Sequence, residues 1–431
     1  MTEGKGFSRP LRLDASGRLA DVAFLAGPAL ARVLAMLNQD GEEARVVGGA
    51  VRNALLGLPA GDIDIATTAL PDIVVARAKT AGLRPLPTGI AHGTITVMVG
   101  RAGFEVTTLR EDVETDGRHA IVRFGRDFTA DAQRRDFTVN ALSLSADGTV
   151  HDTTGGLADL AAGRVRFIGE ADRRIREDYL RVLRFFRFSA TYAEGPFDPE
   201  GLRAATLHRD ALTRLSRERI RVEVLKLLVA PRAAEVTTSM ATAGIARVIF
   251  GGACDPLRLV RLIAIETARR ESPDAILRLA ALAVRTEGDA ARLREQLRLS
   301  NEEATRLAAA AHVRGGLDPE AVPTHAGLLA LLFDHGRRAA LDGVSLAEVD
   351  AKGNGSGWTE AYGVVATAAE PKLPLGGADV MARGVHSGRD VGIVLKQFRQ
   401  EWIAAGFPSD PIVVAGLLDA IVAIHLADDR R

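Results

Sequence analysis

The order of hydrophobic and polar positions divides the chain into a mixed N-terminal third and a helical remainder. Short runs rich in Val, Ile and Thr predict strands over residues 44–47, 63–67, 93–99, 104–109 and 138–145. Longer runs predict helices over 19–37 and 50–56, and the apolar spacing is helical almost throughout from about residue 170. Two polar stretches predict irregular structure: the acidic segment 111–118, expected to be a mobile loop, and the looser connection 346–374.

These patterns predict an α+β fold, with a head in which a mixed sheet packs with helices, followed by an all-α neck, body and tail. A length of 431 residues favours two or three domains. The changes of pattern divide the chain into a head at 1–150, a helical neck at 151–230, a helical body at 231–345 and a helical tail at 346–431.

The composition indicates the cellular compartment of the protein more clearly than it indicates a binding partner. Lys and Arg together number 55, as do Asp and Glu, so net charge gives no indication of a nucleic-acid partner. The single Cys254 excludes a disulfide framework and a cysteine-based zinc site, and it fits the cytoplasm, where we expect the protein. The N-terminus lacks an apolar core of signal-peptide length, and no apolar run approaches the roughly 20 residues that span a bilayer, so we expect no membrane partner.

The candidate chemistry begins with Asp62 and Asp64, which follow the Gly48-Gly49 turn and a short helix. Side chains alternate along a strand, so these two carboxylates are expected to share a face. Neighbouring carboxylates repel unless a cation lies between them, and Mg²⁺ is the commonest such cation at phosphate chemistry. The free N–H groups of a Gly-Gly turn at a helix start suit phosphate oxygens. Together these features predict nucleotidyl transfer.

Glu105 lies on the predicted strand 104–109. If that strand flanks the strand that carries the Asp pair, Glu105 completes a triad of carboxylates around two metal ions. The alternative is a solvated Glu on an edge strand, and the residues alone leave both open.

A second cluster consists of Arg134, Arg135, Asp136 and Asn140 around an apolar strand entry. Arginine can hold phosphate oxygens, while Asp and Asn can hold sugar hydroxyls. The alternative is a helix C-terminus with a capping salt bridge.

A third cluster consists of Glu177, Asp178 and Arg181, and Arg184 and Arg187 follow at three-residue steps. An Asp acceptor and an Arg donor three positions apart are neighbours on a helix and can form the edge-on hydrogen bonds that a nucleobase needs. The alternative is a surface ladder of salt bridges. Phenylalanines interleave with the arginines, which predicts a partly buried setting for this face.

Five segments in this order resemble the class II tRNA nucleotidyltransferases, which include the CCA-adding enzymes and their poly(A) polymerase relatives. The segments are GGAVRNALLG with DIDIATT, RRDFTVNAL, DTTGGLADL, REDYLRVLRFFRF and LSRERIRVEVLKLL. The resemblance covers about residues 44–230, and a weaker match follows in LPLGGADVMARGVHSGRDVG.

The resemblance implies a polymerase-β-like nucleotidyltransferase head, a neck that binds the nucleotide base and RNA, and a tail that binds tRNA. It makes Asp62 and Asp64 the metal-binding pair of a two-metal Mg²⁺ site, with Glu105, which no motif places, as a third catalytic carboxylate. The nucleotide-binding residues that it implies are Gly48, Gly49, Arg52, Arg135, Asp136, Asn140, Glu177, Asp178, Arg181 and Arg184. Among these, Gly49 and Arg52 would hold the triphosphate. Arg135, Asp136 and Asn140 would select ribose, and Asp178 and Arg181 would pair with C or A.

The activity implied is addition of C, C and A to the tRNA 3′ end from CTP and ATP, without a nucleic-acid template and with release of pyrophosphate. The partners expected are therefore the tRNA acceptor end, CTP and ATP. A poly(A) polymerase or a partial CC- or A-adding enzyme is the alternative, although the segment from Glu360 onward is not basic, as tails of the poly(A) enzymes often are. A catalytically inactive RNA-binding protein is disfavoured because the Asp pair and the Arg135–Asn140 cluster are both present.

The chain departs from the family pattern at Asn53, where many relatives carry Asp, and at Tyr179, where many carry Pro. Neither change removes an implied metal ligand or base contact. The histidines His92, His119 and His151 lack metal-ligand spacing, so we expect no metal-dependent phosphohydrolase domain.

Overall fold

The computed structural model describes residues 9–20, 24–90, 93–115, 120–353, 356–386 and 388–428. The chain divides into two compact units, Met1–Ile249 and Phe250–Arg431. The finer division into head, neck, body and tail stays a prediction. Within the described ranges, no helix is long and apolar enough to cross a membrane.

The N-terminal unit begins with a head built on a seven-stranded mixed sheet, as the sequence predicted. Its elements in chain order are α1 (Pro28–Leu37), β1 (Ala44–Val47), α2 (Gly49–Leu55), β2 (Asp64–Thr67), α3 (Pro71–Thr80), β3 (Arg84–Gly89), β4 (Thr94–Val99), β5 (Ala102–Thr108), β6 (Arg110–Thr115), β7 (Ala120–Phe124), α4 (Phe128–Gln133), a 3₁₀ turn (Thr138–Asn140), β8 (Ser143–Leu144), β9 (Val150–His151) and α5 (Gly156–Ala161). The strand order is β3-β4-β5-β2-β1-β8-β9, and β6 pairs with β7 in a separate sheet.

The pairing of β2 with β5 positions the candidate carboxylates. These two strands are parallel, and their register sets Asp64 beside Glu105 and Ile65 beside Val106. Ile65 and Val106 are buried, whereas Asp64 lies at the exposed end of its strand. Alternation along a strand turns successive side chains to opposite faces, so Asp64 and Glu105 share a face. The strand is thus anchored by its apolar residues and presents its carboxylate at one end.

The helices that complete the N-terminal unit are α6 (Ala171–Glu177), α7 (Leu180–Tyr192), α8 (Pro199–Leu207), a 3₁₀ turn (Arg209–Arg214), α9 (Arg217–Leu228), α10 (Ala233–Thr242) and α11 (Ile245–Phe250). An aromatic cluster fastens α7 to the head. The Phe137 ring lies 4.8 Å from that of Phe167 and 5.2 Å from that of Phe188, between ring centroids. Phe137 directly follows Asp136, so this packing fixes α7 against the second polar cluster.

The C-terminal unit is helical throughout its described residues. Its helices are α12 (Pro256–Arg269), α13 (Ala275–Ala283), α14 (Glu287–Leu297), α15 (Asn301–Gly315), α16 (His325–Asp350), α17 (Ser356–Thr367), α18 (Gly377–Met381), α19 (Gly388–Ala404) and α20 (Pro411–Asp428). One apolar cluster surrounds Trp358 and a second surrounds Phe398 and Trp402. The unit therefore has its own hydrophobic cores.

Four of the predicted element boundaries were wrong. The helix predicted over 19–37 begins at Pro28, because proline is tolerated in the first turn of a helix but not in its interior. The segment 138–145 is mostly not a strand. Thr138–Asn140 forms a 3₁₀ turn, in which the Asn140 amide donates to Asp136 over 3.0 Å, and only Ser143–Leu144 is extended.

The other two errors were segments predicted as irregular. Residues 111–115 of the acidic segment belong to β6, because β7 supplies a pairing partner that lies beyond the segment itself; residues 116–119 are outside the described residues. The looser connection at 346–374 contains the end of α16 and the whole of α17. Trp358, Ala361 and Val365 recur at helical spacing and are buried, which holds α17 in place.

Candidate nucleotide-binding site

One cleft of the N-terminal unit, with a volume of about 740 Å³, gathers most of the residues that the sequence indicated. Its lining includes Gly48, Gly49, Arg52, Asp62, Asp64, Arg135, Asp136, Asn140, Asp178, Arg181 and Arg184. Arg187 and Lys226 line it as well, so six cationic side chains and four carboxylates face the same space. An excess of cations suits a polyanion, and a confined cleft strengthens their field. Two predicted site residues, Glu105 and Glu177, do not line this cleft.

Glu105 instead lines a neighbouring cavity of about 390 Å³, and Asp64 lines both spaces. The predicted triad of carboxylates depended on the strand of Glu105 flanking the strand of Asp64, and β5 does pair with β2. Asp62 precedes β2 rather than lying within it, and it reaches the cleft from the connecting segment. The Asp pair therefore comes together through a strand end and its preceding turn, which differs from the predicted alternation along one strand.

The carboxylate of Asp64 has a raised pKa. Desolvation by the surrounding protein contributes most, followed by the negative charge of Glu105; Arg135 opposes the shift and Asp62 adds to it. A cation would stabilise the ionised form of Asp64 among these neighbouring negative charges, so the donor set of hard oxygen ligands fits a divalent metal. In the part of the chain that the structure describes, no group of three or more Asp, Glu, His or Cys side chains is arranged closely enough to hold a metal ion. A ligand role for Glu105 therefore stays a prediction.

The Gly48-Gly49 turn brings backbone to the cleft wall. Gly48 has φ 73° and ψ −126°, a conformation that L side chains rarely adopt. A Cβ atom there would also lie 3.1 Å from Arg135 Nη1. Glycine thus satisfies both the conformation and the close approach, and helix α2 begins at Gly49 with its first N–H groups directed to its N-terminal end.

Arg52, on α2, is a buried cation with 5% of its surface exposed. Its Nη2 donates to the Tyr192 hydroxyl over 2.6 Å, its Nε donates to Asn53 Oδ1 over 3.2 Å, and its Nη1 donates to Asn140 Oδ1. Desolvation lowers the pKa of this guanidinium to about 10, and the positive charge of Arg187 adds to that effect. At neutral pH Arg52 remains charged.

Asp136 connects the predicted ribose cluster to α7. Its carboxylate accepts from Arg184 Nε over 2.7 Å, from the Asn140 amide over 3.0 Å and from the Phe137 backbone N–H over 2.8 Å. Burial alone would raise the pKa of Asp136, but Arg184 and these hydrogen bonds outweigh it and lower the pKa. The carboxylate is therefore ionised and held in one orientation.

Arg135 is positioned by a residue that the sequence did not indicate. Asp131 is buried, with 4% of its surface exposed, and accepts from Arg135 Nη2 over 3.0 Å and from Arg134 Nε over 2.8 Å. Burial would raise the pKa of Asp131, and the two arginines lower it. The helical spacing of Asp131 from Arg134 and Arg135 was the available signal.

Asp178 and Arg181 both reach the cleft but are held by different partners. Asp178 Oδ2 accepts from Arg219 over 2.7 Å and Oδ1 accepts from the Leu180 N–H over 3.0 Å. Arg181 Nη1 donates to Glu177 Oε2 over 2.6 Å, which gives Glu177 a supporting position beside the cleft rather than within its lining. An acceptor and a donor are thus each fixed toward the same space.

The sequence missed Phe188, Lys226 and Tyr192 as site residues. Phe188 lines the cleft and its ring lies 5.1 Å from the Arg184 guanidinium and 4.2 Å from that of Arg187. Lys226 lies on α9 within a motif that had been recognised, so its helical spacing could have identified it. No local signal connects Tyr192 with Arg52, because 140 positions separate them.

The scattered histidines do not contribute to this cleft among the described residues. His151 Nε2 lies 2.7 Å from the Ser145 hydroxyl, and its pKa is lowered by burial. Asp152 accepts backbone N–H bonds at the start of α5, including 2.9 Å from Gly156. His92 and His119 lie outside the described residues.

Sequence and structure comparisons agree on the kind of protein that this cleft belongs to. Residues 44–166 match the family model described as poly A polymerase head domain, and residues 196–255 match the probable RNA and SrmB-binding site of polymerase A. The chain is 34% identical over 381 residues to the mitochondrial CCA tRNA nucleotidyltransferase 1 of Danio rerio, covering 84% of this chain and 83% of that protein.

Two further comparisons cover bacterial proteins. The chain is 41% identical over 215 residues to the CCA-adding enzyme of Levilactobacillus brevis, covering 49% of this chain and 53% of that enzyme. The crystal structure of the Bacillus stearothermophilus CCA-adding enzyme in complex with CTP superposes with a TM-score of 0.69 at 26% identity, covering 93% of this chain and 99% of that one.

Proposed function

We propose that this chain, which belongs to the family of CCA-adding tRNA nucleotidyltransferases, adds C, C and A to the 3′ end of tRNA from CTP and ATP, without a template and with release of pyrophosphate. One observation carries the proposal: a single cleft holds an Asp pair, a cationic wall and fixed hydrogen-bond partners of both polarities. The head alone could serve many nucleotidyl transfers, whereas Asp178, just before α7, and Arg181, on α7, add groups able to select a base.

The triphosphate is proposed to lie against the Gly48-Gly49 turn and Arg52. The turn offers backbone N–H groups at the start of α2, and Arg52 offers a buried positive charge. Arg135, Asp136 and Asn140 are proposed to face the ribose. Asp136 and Asn140 accept and donate in one hydrogen-bonded network, which suits a hydroxyl that does both.

Asp178 and Arg181 are proposed to read the base edge. Cytosine and adenine each present an amino donor next to a ring-nitrogen acceptor, whereas uracil and guanine present a carbonyl next to an N–H. A carboxylate acceptor and a guanidinium donor complement the first pattern and oppose the second. Both side chains are held by the protein, through Arg219 and Glu177, before any nucleotide enters. The pair can therefore take the place of a nucleic-acid template.

Divalent metal use is general among nucleotidyltransferases, and Mg²⁺ is the ion that we propose here, with Asp62 and Asp64 as the residues that would hold it and Glu105 as a third carboxylate. When bound, Mg²⁺ supplies charge neutralisation at the attacking hydroxyl and at the leaving phosphate oxygens. The raised pKa of Asp64 beside Glu105 and Asp62 supports this assignment, because a cation would relieve the repulsion.

The reaction proposed is displacement at phosphorus. The 3′-hydroxyl of the RNA loses its proton to solvent and forms a bond to the α-phosphorus, the bond between the α-phosphorus and the bridging oxygen breaks, and pyrophosphate leaves. Asp62, Asp64 and Arg52 line the same cleft, and we propose that the Asp pair lies near the attacking hydroxyl and Arg52 near the phosphates. The protein contributes position and charge rather than a covalent intermediate.

RNA is the proposed partner of the helices that follow the head. The model of an RNA-binding region over residues 196–255 supports it. Phosphate contacts from arginines would position an acceptor stem without reading its sequence. The cytoplasm is the compartment that we propose, supported by a single free cysteine, Cys254, whose pKa is raised by burial. The animal relative named above is mitochondrial.

The test is to incubate the purified protein with tRNA that lacks CCA, with CTP, ATP or both, and to size the products at single-nucleotide resolution. Extension by three nucleotides, which requires both triphosphates, is the expected result. Extension that stops after two cytidines or requires only ATP would identify a partial enzyme. Long adenosine tails would identify a poly(A) polymerase, and no extension by any mixture would refute the proposal.

A further inference from the structure

The hydrogen-bond partners of Arg52 are neutral groups, which orient the guanidinium without neutralising its charge. Four of its bonded contacts go to Asn53, Asn140 and the Tyr192 hydroxyl. Among the residues that the structure describes, Arg52 forms no ion pair with a carboxylate. Its charge is buried and has no directly bonded counter-ion, and Asp136 offsets it only in part, a costly state unless an anion arrives.

Tyr192 contributes two separate contacts to this arrangement. Its hydroxyl accepts from Arg52 Nη2 over 2.6 Å, and its ring lies 3.8 Å from the guanidinium carbon. The same hydroxyl donates to Asn53 Oδ1 over 3.3 Å, so the acceptor of the second Arg52 contact is oriented too. The Asn53 amide is fixed in turn by donating to the Pro59 carbonyl over 2.9 Å.

These contacts fix both the plane of the Arg52 guanidinium and its rotation within that plane. The Tyr192 ring covers one face and sets its plane, while Phe188 adds a weaker aromatic contact at 5.2 Å. The acceptors along its edge set its rotation within that plane. A carboxylate could do the same work, but it would cancel the charge that a triphosphate needs.

We infer that Tyr192, at the end of α7, is a positioning residue that aims Arg52 at the triphosphate while leaving its charge uncancelled. The inference rests on the proposed function in one respect, namely that the anion bound is the triphosphate of CTP or ATP. Triphosphate is common to both nucleotides, so Tyr192 should influence affinity for both equally and should not influence the choice between them.

The probe is inorganic tripolyphosphate, which lacks base and sugar, measured by calorimetry on the full chain. Tyr192→Phe removes the hydroxyl and keeps the ring, and we expect binding to weaken by about threefold to tenfold, the usual effect of one hydrogen bond. Tyr192→Ala removes both contacts and should weaken it further. Tyr362→Phe is the matched control, because it removes the hydroxyl of a partly buried tyrosine in the other compact unit, whose ring also lies against an arginine, and it should leave binding unchanged.

Steady-state kinetics separate positioning from general structural damage. The KM values for CTP and ATP should rise in Tyr192→Phe by the same factor as the tripolyphosphate dissociation constant, with kcat within about twofold of wild type. A merely structural role would lower the active fraction, and therefore the apparent kcat, without moving KM. In an Arg52→Lys background the effect of Tyr192→Phe should shrink to within about twofold, because Tyr192 acts through the guanidinium.

Several results would overturn the inference. These are a wild-type protein that binds no tripolyphosphate, a Tyr192→Phe variant with wild-type affinity, and a tyrosine effect that persists undiminished without the guanidinium. Failure of the proposed function is distinguishable, because a wild-type protein that binds tripolyphosphate but extends no tRNA would refute CCA addition while the double-mutant comparison on tripolyphosphate still decides the role of Tyr192.

Discussion

Replacing Asp136 by asparagine tests whether the link between the head and α7 depends on a buried charge. Asp136 is 8% exposed and its carboxylate accepts from three donors, of which Arg184 is the charged one. Asparagine keeps the shape but removes the charge and turns one oxygen into an amide group that donates. The charge-assisted bond to Arg184 is then lost, while Arg184 remains in place.

The magnitude follows from the exposure of the two partners. Breaking a fully buried ion pair costs about 3–5 kcal/mol, and a hydrogen bond to a charged group contributes about 1.5–3 kcal/mol. Because the Arg184 side chain is 31% exposed, water recovers part of its solvation, and we expect a loss of about 2–3 kcal/mol in the free energy of unfolding. For a unit of this size that corresponds to a fall in Tm of about 4–12 °C.

The lowered pKa of Asp136 also predicts how the free energy of unfolding changes with pH. The pKa of Asp136 is lowered in the folded protein, so its contribution to stability is complete above the unfolded value near 3.9 and is lost as pH falls through the folded value. Wild type should therefore lose stability in acid more steeply than Asp136→Asn does. The difference between the two proteins should be constant at neutral pH and should narrow in acid below about pH 4.

Thermal unfolding is followed by far-UV circular dichroism between pH 3 and 8. Tryptophan fluorescence reports the C-terminal unit separately, because Trp358 and Trp402 both lie there. Asp147→Asn is the matched control: Asp147 pairs with Arg18 at the surface, where both side chains are half exposed, and its loss should cost no more than about 1 kcal/mol. Two results would refute the reasoning: an equal loss of unfolding free energy in Asp136→Asn and Asp147→Asn, or an equally steep loss of stability in acid for wild type and Asp136→Asn.

Three further predictions concern the reaction. Asp62→Asn or Asp64→Asn should lower the rate of nucleotide addition by about a thousandfold or more, while tRNA binding in a filter assay stays intact. The control is Asp72→Asn, which alters an exposed carboxylate on α3 and should leave both the rate and tRNA binding unchanged. Turnover retained in either site variant would count against the metal assignment. Glu105→Gln should lower addition by at least about tenfold if Glu105 is a ligand, and a wild-type rate would remove it from the ligand set. Arg181→Ala should equalise incorporation of C, A, U and G in single-nucleotide assays more than it changes the Mg²⁺ requirement, whereas unchanged base preference would exclude a base-reading role.

The sequence determined the chemistry of the site but not its coordinates. Residues whose roles depend on local geometry could be predicted: a glycine turn before α2, a carboxylate at the start of β2, and arginines at helical spacing along α7. Each of these depends on a few neighbouring positions, and short-range periodicity records that information. The family resemblance then supplied the roles, which the residues alone had left open.

Some of the predicted boundaries failed because a pairing strand, a proline or a side-chain hydrogen bond decided the local structure. Residues 111–115 looked irregular, and they belong to a strand because β7 pairs with them. Thr138–Asn140 looked extended, and it forms a 3₁₀ turn in which the Asn140 amide donates to Asp136. Apolar alternation contains no information about such contacts.

Only the tertiary structure decided which groups support the functional ones. The partner of Arg52 is Tyr192, the partner of Arg184 is Asp136, and Glu177 supports Arg181 from beside the cleft. The residues of the first two pairs are 140 and 48 positions apart in the sequence. Each hydrogen bond therefore forms only when α7 packs against the head. The physical reason is that a side chain's chemistry is local to its residue, whereas its orientation and charge state depend on whatever the fold places beside it.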